Sequence, residues 1–317
     1  MIRYYAKQQG TLVELPDYAV HCWINIEPPF SHDELEDLST RLNIPLDFFT
    51  DPLDIDERSR YEKEGPVRLI VMNSPILNET DRESESIYIT IPIGIIFSPE
   101  SVITICAHEN PVLELFLEDK IKNFNPANIQ HFILQILEQN VYRFISCLKK
   151  LNLKRNLLEQ ELYDSSRNSE LWQMLRIEKS LVYFVNSLKA NELLKVKMKR
   201  IDFLGLGLNE ELEEIYEDLM IDNSQALEMA NIYTVITGST MEAFASIISN
   251  NMNVDIQRLT FVTIMLMVPT IITGFYGMNV KLPFENYKYA SFFIIIFSVL
   301  VGAGLIYFLR QKRFRSS

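Results

Sequence analysis

Hydrophobic positions along this chain change their spacing twice. Up to about residue 125, Ile87, Ile89, Ile91 and Ile93 alternate with their neighbours at the period of a half-buried strand. Ser98-Pro99-Glu100 interrupts that run before Val102, Ile103 and Ile105 resume it, which predicts a hairpin inside a mixed α/β domain. Pro92 cannot donate to a ladder and predicts an edge or a bulge where it stands. From Asn125 the spacing becomes helical: Phe132, Ile133, Ile136, Leu137, Val141, Phe144, Ile145, Leu148 and Leu151 share one face. Asn125 serves as the cap and Pro126 as the first helical residue. A second helix is predicted from near Asn168, through Trp172, Leu175, Leu181, Phe184 and Leu188, to about Arg200, antiparallel to the first.

Gly205 and Gly207 then break the chain, and Asn209 caps a third helix whose first turn, Glu210 and Glu211, complements the helix dipole. Between that cap and Gly274 the only strong breakers are Gly238 and Pro269, so one element from Asn209 to Asn279 is expected, on the order of 100 Å long. The second change of spacing falls here. Leu259 to Met278 and Ala290 to Leu309 each run 20 residues without a charge. A hydrocarbon core of ~30 Å needs ~20 helical residues, so both are expected to span a membrane. The N-terminus has no apolar segment of the signal-peptide kind, so these two spans are expected to direct insertion. Arg258, Arg310, Lys312, Arg313 and Arg315 flank the spans on one side, against Lys281 and Lys288 in the connecting loop, which places both termini in the cytoplasm of a plasma-membrane protein.

Charge sharpens the third helix. Between Arg200 and Arg258 there is no Lys, Arg or His, yet there are eleven carboxylates, nearly the whole formal net charge of −12. Such a helix needs positive charge nearby. A basic neighbour, Lys189, Lys195, Lys197, Lys199 and Arg200, can supply it, and so can a divalent cation, which oxygen ligands suit; the two are compatible. The cysteines, Cys22, Cys106 and Cys147, have neither disulfide nor zinc-site spacing. No nucleophile–histidine arrangement, P-loop or dinucleotide turn is present, which argues against an enzyme.

Within the first span, Asn253, Ile256, Thr260, Thr263, Met267, Thr270, Gly274 and Gly277 recur at alternating steps of three and four, one stripe of a helix. Such a stripe suits either helix packing or a narrow path lined by several copies. The run Tyr276-Gly277-Met278-Asn279, after an uncharged span with Pro269, Thr270 and Gly274 and before a short loop, a second span and a basic tail, resembles the signature end of the CorA family of magnesium channels. Over roughly the last hundred residues the likeness is close; over the first two hundred it is one of architecture.

That resemblance implies an α+β cytoplasmic domain followed by long stalk helices and two C-terminal transmembrane helices, assembled as a funnel-shaped homopentamer in the lipid membrane. It implies conduction of Mg²⁺, with Co²⁺ or Ni²⁺ as further cargo, through a mouth made by Gly277, Met278 and Asn279. Asn253, Thr270 and Gly274 would be the polar lining, and Ile256, Leu259 and Met267 the apolar constrictions. Mg²⁺ would also be the regulatory ion, held between subunits at Asp218, with Gln225 in step with it and Glu79 or Asp81 as its partner from the α/β domain. No nucleic-acid partner is expected. The expected layout is 1–125 for the α/β domain, 126–258 for the stalk, 259–279 for the first span, 280–289 for the loop, 290–309 for the second span and 310–317 for the basic tail. A zinc-transporting branch of the same architecture and a non-conducting membrane-anchored scaffold or sensor are the alternatives.

Overall fold

Branched and aromatic residues build seven strands in the computed structural model, which describes residues 1–79, 85–164, 168–278 and 289–314. They are β1 (Ile2–Gln8), β2 (Thr11–Leu15), β3 (Trp23–Ile26), β4 (Arg60–Glu64), β5 (Val67–Leu77), β6 (Tyr88–Phe97) and β7 (Val102–Cys106). One sheet holds them in the order β2-β1-β3-β7-β6-β5-β4, antiparallel except for the parallel pair β3–β7. The helices are α1 (His32–Leu42), α2 (Asp47–Thr50), α3 (Pro111–Leu117), α4 (Ile129–Asp164), α5 (Asn168–Arg200), α6 (Glu210–Tyr276) and α7 (Ala290–Phe314). The chain divides into two units, Met1–Met241 and Glu242–Ser317.

In the first unit the pleat sorts side chains to two covered faces. Cys22, Ile24 and Ile26 join Leu69, Val71, Ile96, Ile103 and Ile105 against Leu35 and Leu38 of α1 and Phe48 and Phe49 of α2. Trp23 turns the other way. Its ring lies 5.4 Å from that of Phe132 on α4, and its Nε1 donates to Thr104 Oγ1 at 2.8 Å. Because both faces are covered, β6 is buried at every position from Ile91 to Phe97 rather than half-buried as its alternation suggests.

Pro92 sits where the sheet allows it. The β6–β7 ladder ends at Ile93, so Pro92 has no partner on that side, while the β5–β6 register runs past it without a bulge. Opposite Pro92, Asn73 extends beyond the end of β4. The Asn191 side chain of α5 replaces the missing strand there, accepting from Asn73 N at 3.0 Å and donating to Asn73 O at 2.8 Å. Gly94 serves closeness instead: a Cβ there would lie 2.5 Å from Pro52 Cγ and 2.7 Å from Ile105 Cγ2. Gly94→Ala is therefore expected to lower stability by about 1–3 kcal/mol through overpacking, measured as a fall in unfolding midpoint of the full chain.

The helix ends follow local chemistry. Asn110 Oδ1 accepts from Val112 N at 2.9 Å and opens α3, with Pro111 at its first position. At α4 the expected cap, Asn125, instead closes a turn by accepting from Asn128 N at 3.0 Å; the Asn128 side chain then accepts from His131 N. Two asparagines three apart compete, and Pro126 ends up in the turn. Gly205, at φ +68°, makes the left-handed step before α6, and Asn209 Oδ1 accepts from Glu211 N at 3.1 Å as predicted. α6 continues unbroken for 67 residues through Gly238 and Pro269.

The second unit is the distal part of α6 with α7. Val254, Gln257, Phe261, Ile264 and Val268 form the half-buried face of α6, and Ser298 and Gly302 are buried on α7. A Cβ at Gly302 would stand 3.9 Å from Val268 Cβ. Beside that contact runs a groove of about 520 Å³ lined by Met265, Leu266, Pro269, Val299, Gly302, Ala303 and Tyr307.

Candidate ion pathway

Among the described residues, α6 is the one helix long and apolar enough to cross a membrane, and none of its most apolar 18-residue stretch is buried. Apolar surface of that extent is not left facing water. The described apolar run of α7, Phe292–Gly304, is shorter.

Every residue of the predicted stripe is exposed, Asn253, Ile256, Thr260, Thr263, Met267, Thr270 and Gly274 on α6 and Gly277 in the turn just past its end. The face that meets α7 lies one residue further round, about 100° away. Among the described residues nothing covers the stripe. The three apolar residues assigned to constrictions are exposed too: Ile256, Leu259 and Met267 are 53%, 68% and 56% exposed. Continuing the same alternation back from Asn253 adds Ser249, Ser246 and Glu242, all exposed as well, three positions that the motif-based reading passed over.

Hydroxyls on this stripe are partly spent on their own helix. Thr260, Thr263 and Thr270 donate to the carbonyls of Ile256, Leu259 and Leu266 at 2.7–2.9 Å, which leaves their oxygen lone pairs as acceptors facing outward. Pro269 has no N–H, so the Met265 carbonyl loses its ladder partner one turn below. At the end of α6, Gly277 N donates to Thr273 O at 2.9 Å and Met278 N to Phe275 O at 3.3 Å. Both residues are exposed. Asn279, together with Asp81 of the other candidate site, lies outside the described residues.

The acidic half of α6 meets α4 and α5. Asp218 and Glu79 are both exposed, and Gln225 is exposed in step with Asp218. Tyr142 on α4 has its phenol pushed up by burial and by the carboxylates of Glu138, Asp222 and Asp218, so these acids act on one locality. Among the described residues no group of three or more His, Cys, Asp or Glu is placed to hold a metal ion. Of the basic residues expected to balance α6, Lys199 pairs with Glu217 at 2.7 Å, whereas Lys197 donates to the Tyr61 carbonyl. Lys195 is buried and donates to the Asn223 amide oxygen rather than to a carboxylate.

The profile of CorA-like Mg²⁺ transporter proteins matches residues 18–313. The chain is 27% identical over 305 residues to the cobalt/magnesium transport protein CorA of Methanocaldococcus jannaschii, covering 95% of this chain and 93% of that protein. It is 22% identical over 316 residues to the putative metal ion transporter YfjQ of Bacillus subtilis, covering 95% and 92%. The complete structure of the CorA magnesium transporter from M. jannaschii superposes with a TM-score of 0.78 at 25% identity, over 98% of this chain and 97% of that one. The cytoplasmic domain of ZntB from Vibrio parahaemolyticus shares the fold, with a TM-score of 0.60 at 11% identity over 79% of this chain and 97% of that one. An α+β domain with a long helix leading into an uncovered apolar span thus belongs to the class of membrane ion transporters, which is not a class of enzymes. Within that class the chain belongs to the CorA-like Mg²⁺ transporter family.

Proposed function

We propose that the chain is one subunit of a homopentameric divalent-cation channel, conducting Mg²⁺ first and Co²⁺ or Ni²⁺ besides, with α6 lining the pore and α7 as a second membrane-spanning helix around it. The observation that carries this is the stripe from Thr260 to Gly277: threonines and glycines, with Met267 among them, in an uncharged span, exposed at each position, while the adjacent face is half-buried toward α7. In lipid those groups would gain nothing; around an axis they supply a wet wall. The cobalt and magnesium named for the M. jannaschii relative supports the choice of cargo.

Mg²⁺ holds six waters in near-ideal octahedral geometry and gives them up reluctantly. A mouth of Gly277 carbonyls and Asn279 amides, with Met278 between them, would take the hydrated ion through its own waters. Neutral oxygens at Asn253, Thr270 and Gly274 would pass it on, and uncharged sites release what they bind. Ile256, Leu259 and Met267 would close the path by excluding water. Asp218, with Glu79 or Asp81 from a neighbouring copy, would hold cytoplasmic Mg²⁺ in the closed state; removing that ion leaves like charges facing one another and favours opening. In this reading the flanking cations keep both termini in the cytoplasm.

Flux into vesicles reconstituted with the full chain tests the proposal. Saturable Mg²⁺ entry, slower Co²⁺ and Ni²⁺ entry, and suppression by Mg²⁺ on the side of the N-terminal domain are expected. Zn²⁺ entry faster than Mg²⁺ entry would reassign the cargo to zinc. No flux of any divalent cation would leave a scaffold.

A further inference from the structure

We propose that Lys195 is a proton-operated latch between α5 and α6: neutral, it lets the two helices close, and protonated it places a buried charge between them and loosens the contact. The observation is geometric. Lys195 is 2% exposed, yet among the described residues its Nζ meets a single side-chain acceptor, Asn223 Oδ1 on α6, at 2.6 Å. An ammonium has three donors and is costly to bury without a counter-charge. The same junction is tied twice more across the helix pair. Tyr216 donates its hydroxyl to the Lys195 carbonyl at 2.7 Å, and Asn223 Nδ2 donates to the Leu188 carbonyl at 3.2 Å. Asn223 therefore reads the lysine on one side and holds the α5 backbone on the other.

The surrounding charges do not neutralise the site. Glu192, on α5 itself, is the charged group that favours the ammonium. From α6, Tyr216 faces it as a neutral phenol, held so by burial. The neighbouring carboxylates act elsewhere, Glu217 on Lys199 at 2.7 Å and Asp222 on Tyr142 of α4. On the β4 side, Lys197 takes the Tyr61 carbonyl and adds no acid. Burial outweighs Glu192 and brings the Lys195 ammonium down from its ordinary value near 10.5 to about 7.

The sign is set by linkage. A lysine whose value is lower in the closed contact than in water binds its proton more readily when the helices part. The contact is strongest above the ordinary value and weakens by up to tenfold in its closing equilibrium per pH unit as pH falls. Below about 7 both states are protonated and the dependence ends. Near neutral pH the latch sits at the lower edge of its range, where a small alkaline shift tightens α6 against α5. If α6 lines a pore as proposed above, that contact reaches the pore helix directly; the latch itself rests on the α5–α6 junction alone.

Hydrogen exchange of the full chain in lipid nanodiscs, followed over peptides from 188–200 and 212–226 between pH 6 and 9.5 and corrected for intrinsic rates, tests it. Protection is expected to be flat below about pH 7 and to rise by up to tenfold per unit above it. In Lys195→Met the slope is expected to vanish, with high protection throughout. In Asn223→Ala, which deprives the ammonium of its acceptor, the break point should move to lower pH. Wild-type protection that does not change between pH 7 and 9.5, a slope that survives in Lys195→Met, or an unmoved break point in Asn223→Ala would each overturn the latch. None of these readouts depends on ion flux, so the latch and the channel fail separately.

Discussion

Asn279→Ala is expected to lower Mg²⁺ uptake by roughly a hundredfold while the oligomer stays intact. In the proposed pentamer the change removes a whole ring of amide oxygens and N–H groups at once, because a symmetric mouth repeats every substitution in each copy. A hydrogen bond is worth about 0.5–1.5 kcal/mol net, so two or three lost contacts to the waters of a passing ion account for roughly two orders of magnitude. Asn279→Gln keeps the amide on a longer stem and should retain part of the flux, whereas Asn279→Asp should bind the ion more tightly and release it slowly. Radiotracer or dye-reported entry into vesicles, with the mass of the assembly measured in parallel, separates loss of conduction from loss of assembly. Uptake at the wild-type rate in the Ala variant would remove the mouth from the proposed pathway.

Much of the architecture was legible wherever punctuation and period agree. Asn168 and Arg200 bound α5 as predicted, and Asn209 caps the 67-residue helix whose continuity through Gly238 and Pro269 the pattern implied. Where two local signals competed, the sequence could not choose: Asn125-Pro126 and Asn128 both resemble helix starts, and the backbone uses the first for a turn and the second for the cap. The degree of burial of β6 was not legible at all, since its alternation says nothing about α2 and Pro52 packing on one face and α5 on the other. The stripe itself was legible because helical period alone defines it, whereas its reading as a pathway rested on the family resemblance; the structure adds that each of its positions is exposed.

Lys195 shows the opposite case. By composition it belongs to a basic helix opposing an acidic one, an arrangement that Lys199 and Glu217 do realise. Its position betrays it: Leu188, Asn191, Lys195 and Met198 fall on one helical face, and all four are buried. A cation in step with core residues was the available signal, and summing the charges of the segment concealed it.

The strongest test of whether the bare stripe faces an axis or lipid comes from Gly274. Gly274 is exposed, and a Cβ added there meets nothing within 4 Å among the described residues, so the first carbon of a larger side chain disturbs no contact inside one subunit. Replacing a helical glycine by leucine removes a propensity cost of about 1 kcal/mol, which favours the folded helix. Leucine is also at home in hydrocarbon, so a lipid-facing Gly274 would tolerate Gly274→Leu without loss of flux. Around an axis the outcome reverses, because each copy brings its own isobutyl group to the same level and the neutral, narrow lining becomes an apolar plug. Gly274→Leu is therefore expected to retain or raise thermal stability and to cut Mg²⁺ flux by at least about tenfold, with Gly274→Ala between it and the wild type. Stability and flux moving in opposite directions places the penalty between copies, where the single chain offers no contact to lose. Wild-type flux in the leucine variant would turn the stripe toward lipid and leave α6 without a pore to line.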